Sequence, residues 1–439
     1  MVRIFVTLKS MRQPYSWSWI ETQVVQTIEI WKGCAARTAN CGQHYSLKEQ
    51  QRREQIYDES LRAVEREARS ARRSKAARLS AQDRITASFA RFSAAALDLE
   101  DPAVHLLTDE FLPVGTQLAR WARQFDAGLS MADIIQACRN AWTACGLQPL
   151  LGERMGITPS ILGYSLLYPY SDNYLDCEGV SGATKIQFSE RFRSRLRGES
   201  LETQDDRERA LWRLVECIEG QYPRERCPQV FDCLLAIHRA QEESIRQLTG
   251  CSDSELLRVS CAKGGSSVLA DACLARGWLA EEESRFAFEW GVLLQLGDDL
   301  QDVHEDMRRG SITLFSRAAS QGRHLDSLVM QLLNFSEQVG VRMDHLPNGS
   351  AMFKNLLRMS WRSLILRAVA DSHEFFSPAF LKDAERCSPF RFEFLRARQK
   401  GLTGREGLYA VLFDAFLEVR DDGDRRLPHP SFVRSYNAG

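Results

Sequence analysis

The stretch GVLLQLGDDLQDVHEDMRRGS, residues 291–311, joins an apolar run to a dense group of acidic side chains. The segment FAFEWGVLLQL (286–296) is apolar on almost every side, which predicts a buried helix. Asp298, Asp302 and Asp306 then follow at intervals of four residues, so in a helix they share one face, about 6 Å apart along the axis. Ionised carboxylates at this spacing repel one another, and burying them is costly unless a cation compensates. The stretch therefore predicts a buried helix that carries a cation-binding row of acids.

A second, shorter row of acids occurs upstream, in LLYPYSDNYLDCEG (166–179). Asp172 and Asp176 are again four residues apart, at the end of an aromatic-rich helical run. The spacing DxxxD alone arises often by chance, but the chain between the two rows is long enough for several helices to bring them face to face. Facing carboxylates suit Mg²⁺ in the presence of a phosphorylated ligand, because the ion takes one or two carboxylates and completes its shell with waters and phosphate oxygens.

Basic residues that suit a diphosphate follow the second row and also lie between the two rows. Arg308 and Arg309 come directly after the acids, where guanidinium groups reach phosphate oxygens bidentately. In the segment KGGSS, Lys263 precedes two glycines, which predict a break or kink that exposes backbone N–H groups toward an anion. An ordinary loop lysine is the alternative interpretation of Lys263.

The rest of the chain predicts an all-α protein. From about residue 85 onward, apolar residues recur at three- and four-residue spacing, and sustained alternation typical of strands is missing. We predict three parts: an N-terminal extension over 1–84, partly disordered or a charged helix; one all-helical domain over 85–420; and a C-terminal tail over 421–439. Residues 48–83 carry dense charge of both signs, which favours a solvated helix or a disordered segment.

Composition narrows the classes of partner. The 57 basic and 58 acidic residues give a net charge of −1, so no global field favours nucleic acid or an anionic membrane. The sequence shows no apolar run of transmembrane length. The twelve scattered cysteines are typical of reduced thiols, which predicts a cytoplasmic protein. Peripheral membrane contact and a homodimer stay open.

The paired acidic motifs resemble those of the class I isoprenoid synthase family. DDLQDVHEDMRRGSITL (298–314) is most similar to the second aspartate-rich region of squalene and phytoene synthases, and SDNYLD (171–176) is similar to the first DxxxD motif of that group. The resemblance spans roughly residues 85–400. It implies a helical bundle of the class I isoprenoid synthase type, with a central apolar cavity.

The resemblance also implies the chemistry of the site. A prenyl diphosphate would bind through Mg²⁺, with up to three ions and Mn²⁺ as an alternative, and ionise by loss of diphosphate. The implied metal ligands are Asp172, Asp176, Asp298, Asp302 and Asp306, of which the first four are also the implied catalytic residues. The implied diphosphate-binding residues are Lys263, Arg308 and Arg309.

Departures from the family's subgroups separate three hypotheses. Squalene and phytoene synthases carry a tyrosine-centred YCYxVAG-like segment where this chain reads LLRVSCAKGGSSVLADACLARG (256–277), and chain-elongating enzymes carry DDxxD in their first motif. By elimination, the sequence favours a terpene synthase that acts on one prenyl diphosphate. A prenyltransferase of the coupling or elongating type is the alternative, and a catalytically inactive helical interaction protein is the third hypothesis.

Overall fold

The computed structural model describes residues 15–35, 42–177, 179–246, 251–402 and 406–418. Within these ranges the regular structure is entirely helical, which confirms the all-α prediction. The α-helices are α1 (Trp17–Cys34), α2 (Leu47–Ala71), α3 (Lys75–Leu97), α4 (Asp101–His105), α5 (Leu112–Phe125), α6 (Met131–Leu147), α7 (Pro159–Asp176), α8 (Gly182–Leu196), α9 (Asp206–Gln221), α10 (Pro228–Arg246), α11 (Asp253–Arg276), α12 (Glu281–Gln301), α13 (Val303–Arg309), α14 (Leu314–Ser320), α15 (Asp326–Asp344), α16 (Ala351–Asp371), α17 (Pro378–Arg386), α18 (Phe392–Leu402) and α19 (Glu406–Leu417). A π-helical turn (Leu106–Phe111) follows α4, and 3₁₀ turns occupy Gln148–Leu151 and His373–Phe375.

Local sequence fixes both ends of α11, the helix at the centre of the fold. Its N-cap is Ser252, whose hydroxyl accepts a hydrogen bond from the backbone N–H of Glu255, while the Glu255 carboxylate accepts one from the backbone N–H of Ser252. A capping box of this kind stabilises a helix by about 1 kcal/mol. The helix ends at Gly277, whose φ of 88° lies in the left-handed region that favours glycine.

The core is organised around α11. This helix packs against α1, α6, α7, α10 and α12, and most of its residues are buried. Around it lies one large apolar cluster to which α12, α15 and α16 also contribute. The apolar run 286–296 belongs to α12, where Phe286, Phe288 and Leu296 are fully buried. The buried helix predicted from this run is therefore confirmed.

Glycines allow α11 and α12 to approach closely where they cross. A Cβ atom added to Gly264 would lie 2.5 Å from the carbonyl oxygen of Gly291, and one added to Gly265 would meet the ring of Phe288. The break predicted for KGGSS is absent, because α11 continues through it from Asp253 to Arg276. Its backbone N–H groups are therefore inside a helix, and the glycines serve helix packing instead of anion binding.

The N-terminal helices pack in two places. In α1, Ile20, Val24 and Trp31 are buried in the main core. The charged helix α2 packs against α3, and α19 covers this pair through a small separate cluster that contains Ile85 and Ala415. The boundary predicted between residues 84 and 85 falls inside α3, and the predicted tail over 421–439 lies outside the described residues. None of the helices in the described ranges combines the length and apolar character needed to cross a membrane.

Candidate functional site

A cavity of about 690 Å³ adjoins both of the helices that carry the acidic rows. Its described lining comes from α6, α7, α8, α10, α11, α12 and α16, together with Asp302. Part of that lining is apolar or aromatic, namely Trp142, Tyr164, Leu167, Leu175, Phe192, Leu196, Leu234, Ile237, Val268, Leu294 and Leu364. The polar part includes Arg139, Lys263, Asp271 and Asp298. The cavity therefore offers both charged groups and a surface suited to a hydrocarbon.

The second acidic row keeps its four-residue spacing across a helix junction. Helix α12 ends at Gln301, and Asp302 lies between it and α13. The backbone N–H of Asp302 donates to the carbonyl of Asp298, and that of Asp306 donates to the carbonyl of Asp302, both at 2.8 Å. Asp298 and Asp302 line the cavity, whereas Asp306 is not among the lining residues.

Asp298 forms an ion pair with Arg139 of α6, with 2.9 Å between Oδ1 and Nη2. Burial raises the pKa of Asp298, the negative charge of Asp302 adds to that rise, and Arg139 opposes it. Arg139 was not among the predicted site residues. In the sequence, Arg139 is distinguished only as the one charged residue of the helical segment from 134 to 147. The pairing brings a guanidinium to the acidic wall of the cavity.

The other two acids of this region differ in their hydrogen bonding. Asp299 is buried, and its carboxylate accepts hydrogen bonds from Gln295 Nε2 at 2.8 Å and Ser260 Oγ at 2.9 Å. Burial raises the pKa of Asp299 to about 7. Burial and the charge of Asp302 raise the pKa of Asp306 to about 6, and Oδ2 of Asp306 has no hydrogen-bond partner among the described residues. Hydrogen bonds from the protein thus compensate the burial of Asp299, whereas one oxygen of Asp306 lacks such a partner in the described part of the chain.

Lys263 lies on the same cavity as Asp298 and Asp302. Burial raises the pKa values of Asp298, Asp299 and Asp306, and the positive charge of Lys263 partly opposes that rise for each of them. Lys263 belongs to the interior of α11, so its predicted place in a loop is wrong, while its role in diphosphate binding stays a prediction. The predicted diphosphate-binding lysine is therefore close to the second acidic row.

Arg308 and Arg309 lie on the solvent-facing side of α13. Their side chains are 71% and 72% exposed, and both form ion pairs with Glu305. Neither arginine is among the residues that line the cavity. Exposed pairs of this kind contribute little to stability, about 0–1 kcal/mol. The assignment of both arginines to diphosphate binding stays a prediction.

The position of the first acidic row follows from the helix that carries it. Asp172 and Asp176 belong to the last turns of α7, but their side chains lie outside the described part of the structure. The neighbouring residues Ser171 and Leu175 line the cavity. This end of α7 therefore adjoins the cavity that also receives Asp298, while convergence of the four carboxylates stays a prediction.

Among the side chains that the structure describes, no three potential metal ligands of the His, Cys, Asp or Glu type lie together. That set does not include the side chains of Asp172 and Asp176. A Mg²⁺ site that uses ligand phosphate needs only one or two carboxylates from the protein. Asp298 and Asp302, with the unpartnered oxygen of Asp306 nearby, have the all-oxygen chemistry that such an ion prefers.

Asp271 is a further acid in the cavity wall that sequence analysis did not identify. Its side chain is 2% exposed, and Oδ1 has no hydrogen-bond partner among the described residues. Burial raises the pKa of Asp271 well above its usual range. The protonated form of this carboxyl group is therefore favoured in the folded protein, compared with an exposed aspartate.

We expect Asp271→Asn to flatten the dependence of folding stability on pH. Between about pH 3.9 and its raised folded pKa, this aspartate is protonated in the native state but ionised in the unfolded chain. Native stability therefore falls by about 1.4 kcal/mol for each pH unit above that value until the folded pKa is reached. Asparagine does not titrate, so the variant should gain stability relative to wild type from about pH 5 to about pH 7.

Urea unfolding at the two pH values measures this difference. Asp206→Asn, at an aspartate whose side chain is 91% exposed, is the control and should leave the pH dependence unchanged. A constant difference in unfolding free energy between Asp271→Asn and wild type at both pH values would show that Asp271 is ionised in the folded protein.

Comparison with known proteins leaves the site to be explained from its own residues. No family model, curated protein or solved structure matches this chain.

Proposed function

We propose that this chain is a Mg²⁺-dependent class I terpene synthase, which ionises a single prenyl diphosphate. The main support is the cavity next to α7 and α12, because one wall combines acids with Arg139 and Lys263 while other walls are apolar. An amphipathic ligand with an anionic end and a hydrocarbon chain matches both surfaces. The cavity's volume of about 690 Å³ lies within the range of about 300–1,000 Å³ usual for a single small ligand.

At the polar wall, the chain's own residues would bind and orient the diphosphate. Lys263 and Arg139 donate charge-assisted hydrogen bonds to its oxygens. Asp298, Asp302 and Asp306, with Asp172 and Asp176 from α7, would hold Mg²⁺. When bound, divalent ions supply Lewis-acid neutralisation of the charge that develops on the leaving diphosphate.

At the apolar walls, the side chains would protect the carbocation that remains. Leu234, Ile237 and Leu294 line the cavity and would exclude water from the hydrocarbon part of the ligand, which prevents early reaction of the carbocation with water. Tyr164 and Phe192 present aromatic rings to the cavity, and such rings stabilise a cation electrostatically without forming a bond to it. Shape and exclusion of water would then direct the carbocation to a product.

Incubation with Mg²⁺ and prenyl diphosphates of increasing chain length tests the proposal. We expect release of inorganic diphosphate and an extractable terpene or terpene alcohol with the carbon count of one substrate, detected by mass spectrometry. A chelator such as EDTA should abolish both signals, because the acids alone cannot neutralise the leaving group. A product with a summed carbon count would instead identify a prenyltransferase. If none of the substrates releases diphosphate, the result contradicts the proposal and favours an interaction protein.

A further inference from the structure

One face of α11 forms a continuous strip of the cavity wall. Lys263, Gly264, Ser267, Val268 and Asp271 all line it, at the spacing expected of residues on one side of a helix. Asp271 follows Lys263 by eight positions, which corresponds to about 12 Å along the helix axis. The strip therefore has a cationic group at one end and a carboxyl group at the other.

The two buried aspartates of helices α11 and α12, Asp271 and Asp299, differ in their hydrogen bonding. Asp299 receives hydrogen bonds from Gln295 and Ser260, so its burial is compensated within the protein. Oδ1 of Asp271 lacks such a partner among the described residues, although its side chain is only 2% exposed. A buried polar group without a partner is costly and is rare in native proteins.

A structural role does not account for Asp271. It lies in the interior of α11, several residues from either end, so it does not cap the helix. It also takes part in none of the ion pairs of the described residues. Asp271 lines the cavity with a carboxyl oxygen that is unpartnered within the described ranges. Burial favours the protonated form of the carboxyl group, and that form has an O–H donor as well as an acceptor oxygen.

We propose that Asp271 binds an oxygen atom carried by the ligand. The cavity would then select ligands with an anionic group at one end and a hydroxyl or carbonyl group about 12 Å away. The anionic end rests on the proposed function, whereas the oxygen-binding role rests on the geometry of Asp271 alone. The alternative partner of Asp271 is an ordered water molecule. The following experiment distinguishes a ligand oxygen from such a water.

The test compares two straight-chain alkyl diphosphates of equal length, long enough to span about 12 Å. One carries a terminal hydroxyl group and the other ends in a methyl group. Neither is allylic, so binding is measured without turnover. In isothermal titration calorimetry with Mg²⁺, we expect wild type to bind the hydroxyl form about tenfold more tightly, as a buried hydrogen bond permits.

Two variants assign this preference to Asp271. Asp271→Leu removes the hydrogen-bonding group and keeps the branched shape of the side chain, and the preference should disappear. Glu289→Gln is the matched control: Glu289 is also buried, but its carboxylate pairs with Arg342 at 2.7 Å and does not line the cavity. This control should keep the full preference.

Three results would overturn the inference. Equal binding of the two ligands by wild type would show that Asp271 holds water or only shapes the wall. A preference that persists in Asp271→Leu would show that another residue binds the ligand hydroxyl group. If neither ligand binds, the cavity does not bind a diphosphate group either. If the hydroxyl preference is found but prenyl diphosphates are not turned over, only the terpene synthase proposal fails. The wild-type comparison stands even if Asp271→Leu does not fold.

Discussion

Gly291→Ala is expected to lower the free energy of unfolding by about 3 kcal/mol, the upper part of the range for overpacked cores. A Cβ atom at residue 291 would lie 2.8 Å from the carbonyl carbon of Gly264 and 3.0 Å from the Cα atom of Gly265. These are backbone atoms, which cannot rotate aside as a side chain does. Helices α11 and α12 would have to separate along their whole contact. Urea unfolding monitored by circular dichroism measures the loss.

Gly33→Ala is the matched control for this prediction. Gly33 also lies within a helix, α1, but an added Cβ atom would meet nothing within 4 Å. Alanine favours helix by about 1 kcal/mol over glycine, so this variant should be as stable as wild type or slightly more stable. If Gly291→Ala unfolds at the same urea concentration as the control, the close crossing of α11 and α12 is not what holds the core together.

Asp298→Asn and Asp302→Asn are expected to reduce turnover of a prenyl diphosphate by at least about a thousandfold, while leaving folding intact. Both residues line the cavity, and an amide cannot supply the negative charge that a divalent ion needs. Folding should be preserved because both positions are polar and partly accessible. Burial raises the pKa of the Asp298 carboxyl group, so its ionisation is unfavourable in the folded protein. An amide at this position does not ionise and avoids that cost. Steady-state release of diphosphate measures the effect.

Circular dichroism and thermal melting separate lost chemistry from lost structure in these variants. Asp206→Asn changes an exposed acid at the start of α9 and should retain wild-type turnover. If Asp298→Asn and Asp302→Asn turn over substrate at the wild-type rate, the acids form a solvated face and the proposed metal site is excluded. The experiment requires the activity expected under the proposed function, so it follows the incubation with prenyl diphosphates.

The helical class and the acidic helix were predictable because they depend on periodic signals. The apolar run 286–296 predicts burial from its composition, and the four-residue spacing of Asp298 and Asp302 predicts a shared face. Both features survive in the structure, although a junction at Asp302 divides the helix. Signals repeated over several turns outweigh the influence of any single contact.

Features decided by single contacts were not predictable. The segment KGGSS suggests a helix break from local propensity, but packing of Gly264 against Gly291 overrides that propensity. Arg139 and Asp271 are isolated charges in otherwise neutral stretches, and only the assembled fold shows that both face one cavity. Spacing in the sequence predicts which residues are neighbours along one helix. Arg139 and Asp271 lie on different helices, so spacing could not show that they line the same cavity.

The central position of α11 restricts where the cavity can be remodelled. Helices α1, α6, α7, α10 and α12 all pack against α11, so a shift of its backbone would disturb each of these contacts. Helix α8 has fewer neighbours, and it presents Phe192 and Leu196 to the same space. Under the proposed function, the accepted ligand length would therefore be changed from the α8 side, by smaller residues at 192 and 196, while α11 keeps the spacing between Lys263 and Asp271.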